Sequence, residues 1–153
     1  MYTGKPVFIA RREEKSHDYL HIYEFFTTFA LANVPTTTNM NIEQVRDFAL
    51  SINPAVTEEL FAENWISWRI FGKWFLLMQL DAPEPRVAVK LPPEMSAELR
   101  IQYDGIRPAY HMNKTHWNDL YLNNLDDTLV QELITSSYHL IVSKLPKAQQ
   151  ALL

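Results

Sequence analysis

The stretch from Trp65 to Leu80 constrains the fold more than any other. Ile66, Trp68 and Ile70 alternate with Ser67 and Arg69, the period-2 pattern of a half-buried strand. Gly72 supplies a turn. Trp74 to Met78 follows and is apolar on both faces, which marks a central strand. Two registers are open. With Phe71-Gly72 as the turn pair, Trp68 faces Phe75 and Ile66 faces Leu77. With Gly72-Lys73, Ile70 faces Phe75 and Trp68 faces Leu77. Either way Ile66, Trp68, Ile70, Phe75 and Leu77 share one face, the expected core. Trp65, Phe71 and Trp74 fall opposite Trp68. They form either a plain exposed aromatic face or a docking surface for residues 1–39 or another protein.

Other elements follow from local signals. Asn41 caps a helix, with Gln44 completing a capping box and Ile42, Val45, Ala49 and Ile52 forming its buried stripe. Asn53-Pro54 ends it. After the loop Asp81–Pro85, Val87, Val89 and Leu91 alternate with Arg86, Ala88 and Lys90 as a third strand. Pro92-Pro93-Glu94 opens a helix bearing Met95, Leu99 and Tyr103, with Gly105 as its C-terminal cap. Residues 106–112 and 117–123 read as two extended segments around Asn113-Lys114-Thr115, and Pro108 assigns the first to an edge or a bulge. Asp126 and Asp127 start a last helix whose Leu129, Leu133, Ser137, Leu140 and Ile141 face inward. Lys144-Leu145-Pro146 ends it. The order is α-βββ-α-ββ-α. It predicts a two-layer α+β domain, a single antiparallel sheet of about five strands with helices on one face.

Charge and composition narrow the function. The 153 residues hold 14 Lys plus Arg against 18 Asp plus Glu, a formal net charge of -4. Val34-Pro35-Thr36-Thr37-Thr38-Asn39 reads as a linker, separating an N-terminal extension or overcalled start, 1–39, from a domain at 40–153 that could begin at Met40. Residues 1–39 carry four basic and four acidic side chains; the domain carries 10 basic and 14 acidic. Nucleic-acid binders are usually basic, so DNA binding here needs a local patch. With no cysteine, a disulfide scaffold, a thiolate zinc site and a cysteine nucleophile are excluded. That composition fits a reducing, cytoplasmic setting. The apolar run Tyr19–Val34 is broken by His21 and Glu24 and is too short to span a bilayer. Arg11-Arg12 precedes acids rather than an apolar run, so no signal peptide is expected.

One stretch stands out chemically. Gly105–Asn118 gathers Arg107, His111, Lys114 and His116 and interleaves Tyr110 and Trp117. Basic groups position phosphates, and aromatic rings stack on bases. Arg69, Lys73 and Lys90 could extend this patch. The competing reading is a solvated turn with Tyr110 and Trp117 in the core. His111 and His116, even with Asp104 and Asp119 nearby, do not make a tetrahedral ligand set, so neither metal nor cofactor is expected. Three glycines leave no nucleophile elbow, P-loop or dinucleotide fingerprint. Glu58-Glu59 and Asp126-Asp127 read as solvated helix starts, whose neighbours point about 100° apart. No enzyme mechanism assembles.

The stretch Gly105-Ile106-Arg107-Pro108-Ala109-Tyr110-His111-Met112-Asn113-Lys114-Thr115-His116-Trp117-Asn118 resembles the signature of the MmcQ/YjbR family. Trp68-Arg69-Ile70-Phe71-Gly72-Lys73-Trp74-Phe75 resembles its hairpin, with bulky Phe71 where a small turn residue is usual. Ser137–Pro146 is similar to its closing helix. The resemblance runs from about Met40 to Lys147, with no counterpart for residues 1–39. It implies a CyaY-like fold of the double-wing type and a weak, largely non-specific DNA-binding role, carried by fold analogy. Bacterial secretion chaperones, also two-layer and acidic, supply the alternative: a protein- or peptide-binding module using the aromatic hairpin face. A monomer is expected in either case.

Overall fold

The computed structural model describes residues 39–153. The extension assigned to residues 1–39 lies outside them except for Asn39, whose side-chain amide donates to the Asn123 carbonyl at 2.9 Å. The chain runs through α1 (Ile42–Ser51), β1 (Val56–Ala62), β2 (Trp65–Ile70), β3 (Lys73–Gln79) and β4 (Arg86–Lys90). It continues through α2 (Pro93–Gln102), β5 (Ile106–Pro108), β6 (Trp117–Tyr121), a 3-10 turn (Leu122–Asn124), α3 (Asp127–Ser143) and α4 (Lys147–Gln150). The capping box of α1 forms as expected, Asn41 and Gln44 each accepting the other's backbone N–H at 2.9 Å.

Among the described residues the sheet has six strands in the order β1-β2-β3-β4-β6-β5, and all pairings are antiparallel. The α+β class and the single helical layer hold. The expected helix start at Glu58-Glu59 does not, because these residues lie in strand β1, which brings the expected count of about five strands to six. Only Val56 of β1 is fully buried, so the strand lacks the apolar alternation that would announce it. It is an outer strand whose successive carboxylates point to opposite faces. Glu58 accepts from Trp68 Nε1 at 3.1 Å and pairs with Arg46 of α1 at 2.8 Å. Glu59 pairs with Arg69 at 2.9 Å on the other side.

The hairpin turns on Phe71 and Gly72, with φ of 47° and 73°, the left-handed pair that a tight hairpin requires. Ile70 then pairs with Lys73 and Arg69 with Trp74, but Trp68 pairs with Leu76, leaving Phe75 as an extra residue. This bulge alters the expected core. Phe75, Leu76 and Met78 join Trp68 on the helical side, while Leu77 moves to the opposite face. There it packs with Ala88, Ala109 and Trp117, beside partly buried Trp65, Trp74 and Met112. The sheet is therefore buried on both sides, by helices on one and by residues 109–116 on the other.

Ser137 of α3 repairs the ladder at the bulge. Its hydroxyl donates to the Phe75 carbonyl and accepts the Lys90 N–H at 2.9 Å. Gly105 also has a reason other than the expected one. Tyr103 caps α2, and Gly105 has no left-handed φ; a Cβ there would lie 2.9 Å from the Leu125 side chain. Pro108 ends β5 at the sheet edge, as its missing N–H demands. The extended segments shorten to 106–108 and 117–121 because the chain turns at Ala109, whose carbonyl accepts the Met112 N–H.

Candidate binding surface on the open sheet face

Residues 109–116 form a strap across the non-helical face. Ala109 N–H bonds to the Trp117 carbonyl at 3.0 Å, and the Asn113 carbonyl accepts from Trp117 N–H at 2.9 Å. Asn113 Oδ1 accepts from Thr115 N–H. Arg100 of α2 holds the end of the strap, donating to the Lys114 carbonyl at 2.6 Å and the Trp117 carbonyl at 3.1 Å. Asn118 links the strap to the helical layer through Ser96 Oγ and Arg100 Nε. Ala109, Met112 and Trp117 point in; Tyr110, His111 and Lys114 point out.

The sequence-predicted residues divide. Tyr110 is 74% exposed. His111 meets its ring edge-on at 4.7 Å, and Lys114 Nζ stands 6.0 Å from its centroid. These three gather on one surface. Trp117 is 6% exposed, so it supports the strap from the core and offers no face for stacking. His116 is half-buried, and its Nδ1 is buried with no hydrogen-bond partner among the described residues. Arg107 lies 4.4 Å over the Tyr121 ring and donates to the Asp104 carbonyl. Arg69 lies 5.6 Å over Trp74, with Glu59 as its ion pair and Ser67 Oγ as its acceptor. Lys73 is exposed beside the hairpin turn, opposite Ile70. Lys90 is half-buried, and burial with the nearby Lys144 charge lowers its pKa. Neither Lys73 nor Lys90 joins the strap cluster through a side-chain hydrogen bond or ring contact.

Two features were not legible as parts of a site. Phe61 of β1, 39% exposed, sits 5.0 Å from Trp74 and 6.1 Å from Trp65, and Trp65 in turn stands 5.9 Å from His111. A run of rings thus crosses the face: Tyr110, His111, Trp65, Phe61, Trp74. The second feature is Asp119, only 8% exposed beneath the strap. Burial raises its pKa, opposed by Arg86 at 3.7 Å, the Tyr110 N–H and the charge of His111. Arg86 also donates to Gln79 at 3.1 Å and lies 5.8 Å over Tyr121. Only the alternation of β6 could have signalled that Asp119 faces the strap. Among the described residues, no three histidine or carboxylate side chains gather as a metal-holding group, and no helix is long and apolar enough to cross a membrane.

Asp119 gives a pH-dependent expectation. A carboxyl with a raised folded-state pKa favours folding when protonated, and that contribution is lost as pH rises through the folded pKa. Its ionised form is thus a net cost at pH 7. Asp119→Asn keeps an acceptor for the Tyr110 N–H and should raise the urea midpoint at pH 7. The gain should vanish near pH 3, below the ordinary Asp value of about 3.9. A lower midpoint at pH 7 would show that the Arg86 pair outweighs burial.

Comparison with known proteins agrees with this architecture. A model of the family described as YjbR matches residues 51–140. Escherichia coli K12 YjbR is 39% identical over 80 residues, covering 52% of this chain and 68% of that protein. Escherichia coli O157:H7 YbdF is 33% identical over 91 residues, covering 59% and 75%. The crystal structure of a Deinococcus radiodurans protein with a DUF419 domain superposes with a TM-score of 0.68 at 24% identity, over 78% of this chain and 91% of that one. A Pseudomonas syringae protein gives 0.59 at 29% identity, over 66% and 98%.

Proposed function

This chain belongs to the YjbR family, and we propose that it serves as a non-catalytic DNA-binding module acting through the strap and its flanks. The observation that carries the proposal is the outward set on the strap: Tyr110, His111 and Lys114, held from below by Trp117, Ala109 and Met112. Arg107, exposed on the neighbouring β5, extends the set toward phosphate. Lys114 and Arg107 contribute charge. His111, exposed beside Tyr110, offers ring nitrogens for hydrogen bonds to phosphate or base edges. Bulk charge of -4 opposes the interaction, so affinity is weak, mostly sequence-independent and local. With about three phosphate contacts, the log–log salt slope is on the order of -3. The reading carries with it a monomer working in the cytoplasm, with no bound cofactor.

The full chain is titrated with both duplex and single-stranded DNA at about 50 mM salt, alongside an Arg107→Ala/Lys114→Ala variant. Both side chains are exposed, so the variant should fold normally. Binding that falls about tenfold or more in the variant supports the reading. No binding to either form of DNA, or binding that the double substitution leaves unchanged, overturns it. The alternative reading, a peptide-binding module, rests on the exposed rings of the β1–β2 edge, Phe61 above all. Absence of DNA binding together with saturable binding of an aromatic-rich peptide, lost in Trp74→Ala, would favour it.

A further inference from the structure

We infer that the strand this face takes is unpaired, with its bases laid along the rings from Tyr110 to Trp74; the inference rests on the DNA-binding reading and names its substrate class. Tyr110, His111, Trp65, Phe61 and Trp74 follow one another at centroid separations of 4.7, 5.9, 6.1 and 5.0 Å. Each is exposed or half-buried. Bases of a duplex are stacked on one another and present only their edges in the grooves, so such a track is of no use to them. Unpaired bases offer flat faces to rings, with little regard to sequence.

Charge marks both ends of the track. Lys114 stands by Tyr110 at one end, and Arg69 lies over Trp74 at the other. A backbone running along the rings would meet a cation at each end. Arg69 is shared with Glu59 at 2.9 Å, which competes with phosphate and keeps this end weak. An acidic chain can hold a single strand in this way because stacking supplies much of the affinity. With about three phosphate contacts, as in the DNA-binding reading, a single strand gives a salt slope on the order of -2, shallower than a duplex would.

The test uses the full chain and follows tryptophan fluorescence. The probes are an oligothymidylate of about 16 nucleotides and a duplex of the same length, at about 50 mM and 200 mM salt. The strand should bind at least about tenfold tighter than the duplex and quench Trp65 and Trp74. Tyr110→Ala, at an exposed position, should weaken strand binding about tenfold, the loss of one stacked base. Glu59→Gln should tighten it severalfold by freeing Arg69. Equal affinity for strand and duplex overturns this inference and leaves the DNA-binding reading standing. Strand binding indifferent to both substitutions also overturns it. Absence of binding to either probe overturns the inference and the reading together.

Discussion

Trp117→Ala is expected to cost about 3–5 kcal/mol of stability, the range for removing a large aromatic from a packed interior. Against the roughly 5–15 kcal/mol that holds a typical domain together, such a loss brings the fold near its threshold. Trp117 packs with Leu77, Ala88 and Ala109 where the strap crosses the sheet, and the void left behind would undermine the strap itself. Urea unfolding of the variant beside Tyr110→Ala separates structure from recognition. Tyr110 is mostly exposed, so its removal should change stability by less than about 0.5 kcal/mol. Were Trp117 a stacking platform, its alanine variant would keep its unfolding midpoint and lose only DNA.

Ser137→Ala is the second large effect, expected at about 2–4 kcal/mol. One hydroxyl there serves two backbone groups, the Phe75 carbonyl and the Lys90 amide. Alanine removes this partner from both, and a buried group left unsatisfied costs about 1–3 kcal/mol. Ser136 is the control. It is also buried, but its hydroxyl donates to the Glu132 carbonyl of its own helix at 2.7 Å. That carbonyl belongs to the helix ladder, so Ser136→Ala should stay within about 0.5 kcal/mol. Equal losses at the two positions would show that burial, and not repair of the bulge, sets the cost.

The helix cap at Asn41, the edge position of Pro108 and the inward stripe of α3 were legible because each rests on local geometry. Strand β1 was not. Its partner is β2, its outer side faces no other strand among the described residues, and its charged residues carry no alternation. The bulge at Phe75 was equally hidden, since an extra residue changes no composition; it nonetheless carries Leu77 through the sheet to the other core. For the site, the cluster 105–118 was visible as chemistry, but not its division into residues that pack and residues that project. Phe61 and Asp119 join the face only through pairing across strands, which spacing along the chain does not reveal.

The strap has two sides with separate obligations. Ala109, Met112 and Trp117 close a small interior, so their replacement is judged by whether the sheet stays dry. Tyr110, His111 and Lys114 stand on the same few residues of backbone, and their replacement is judged by what they meet outside. The outward residues can therefore be exchanged while the inward ones keep the platform fixed. To change what this face presents requires no new fold, only new occupants of positions already raised above the sheet.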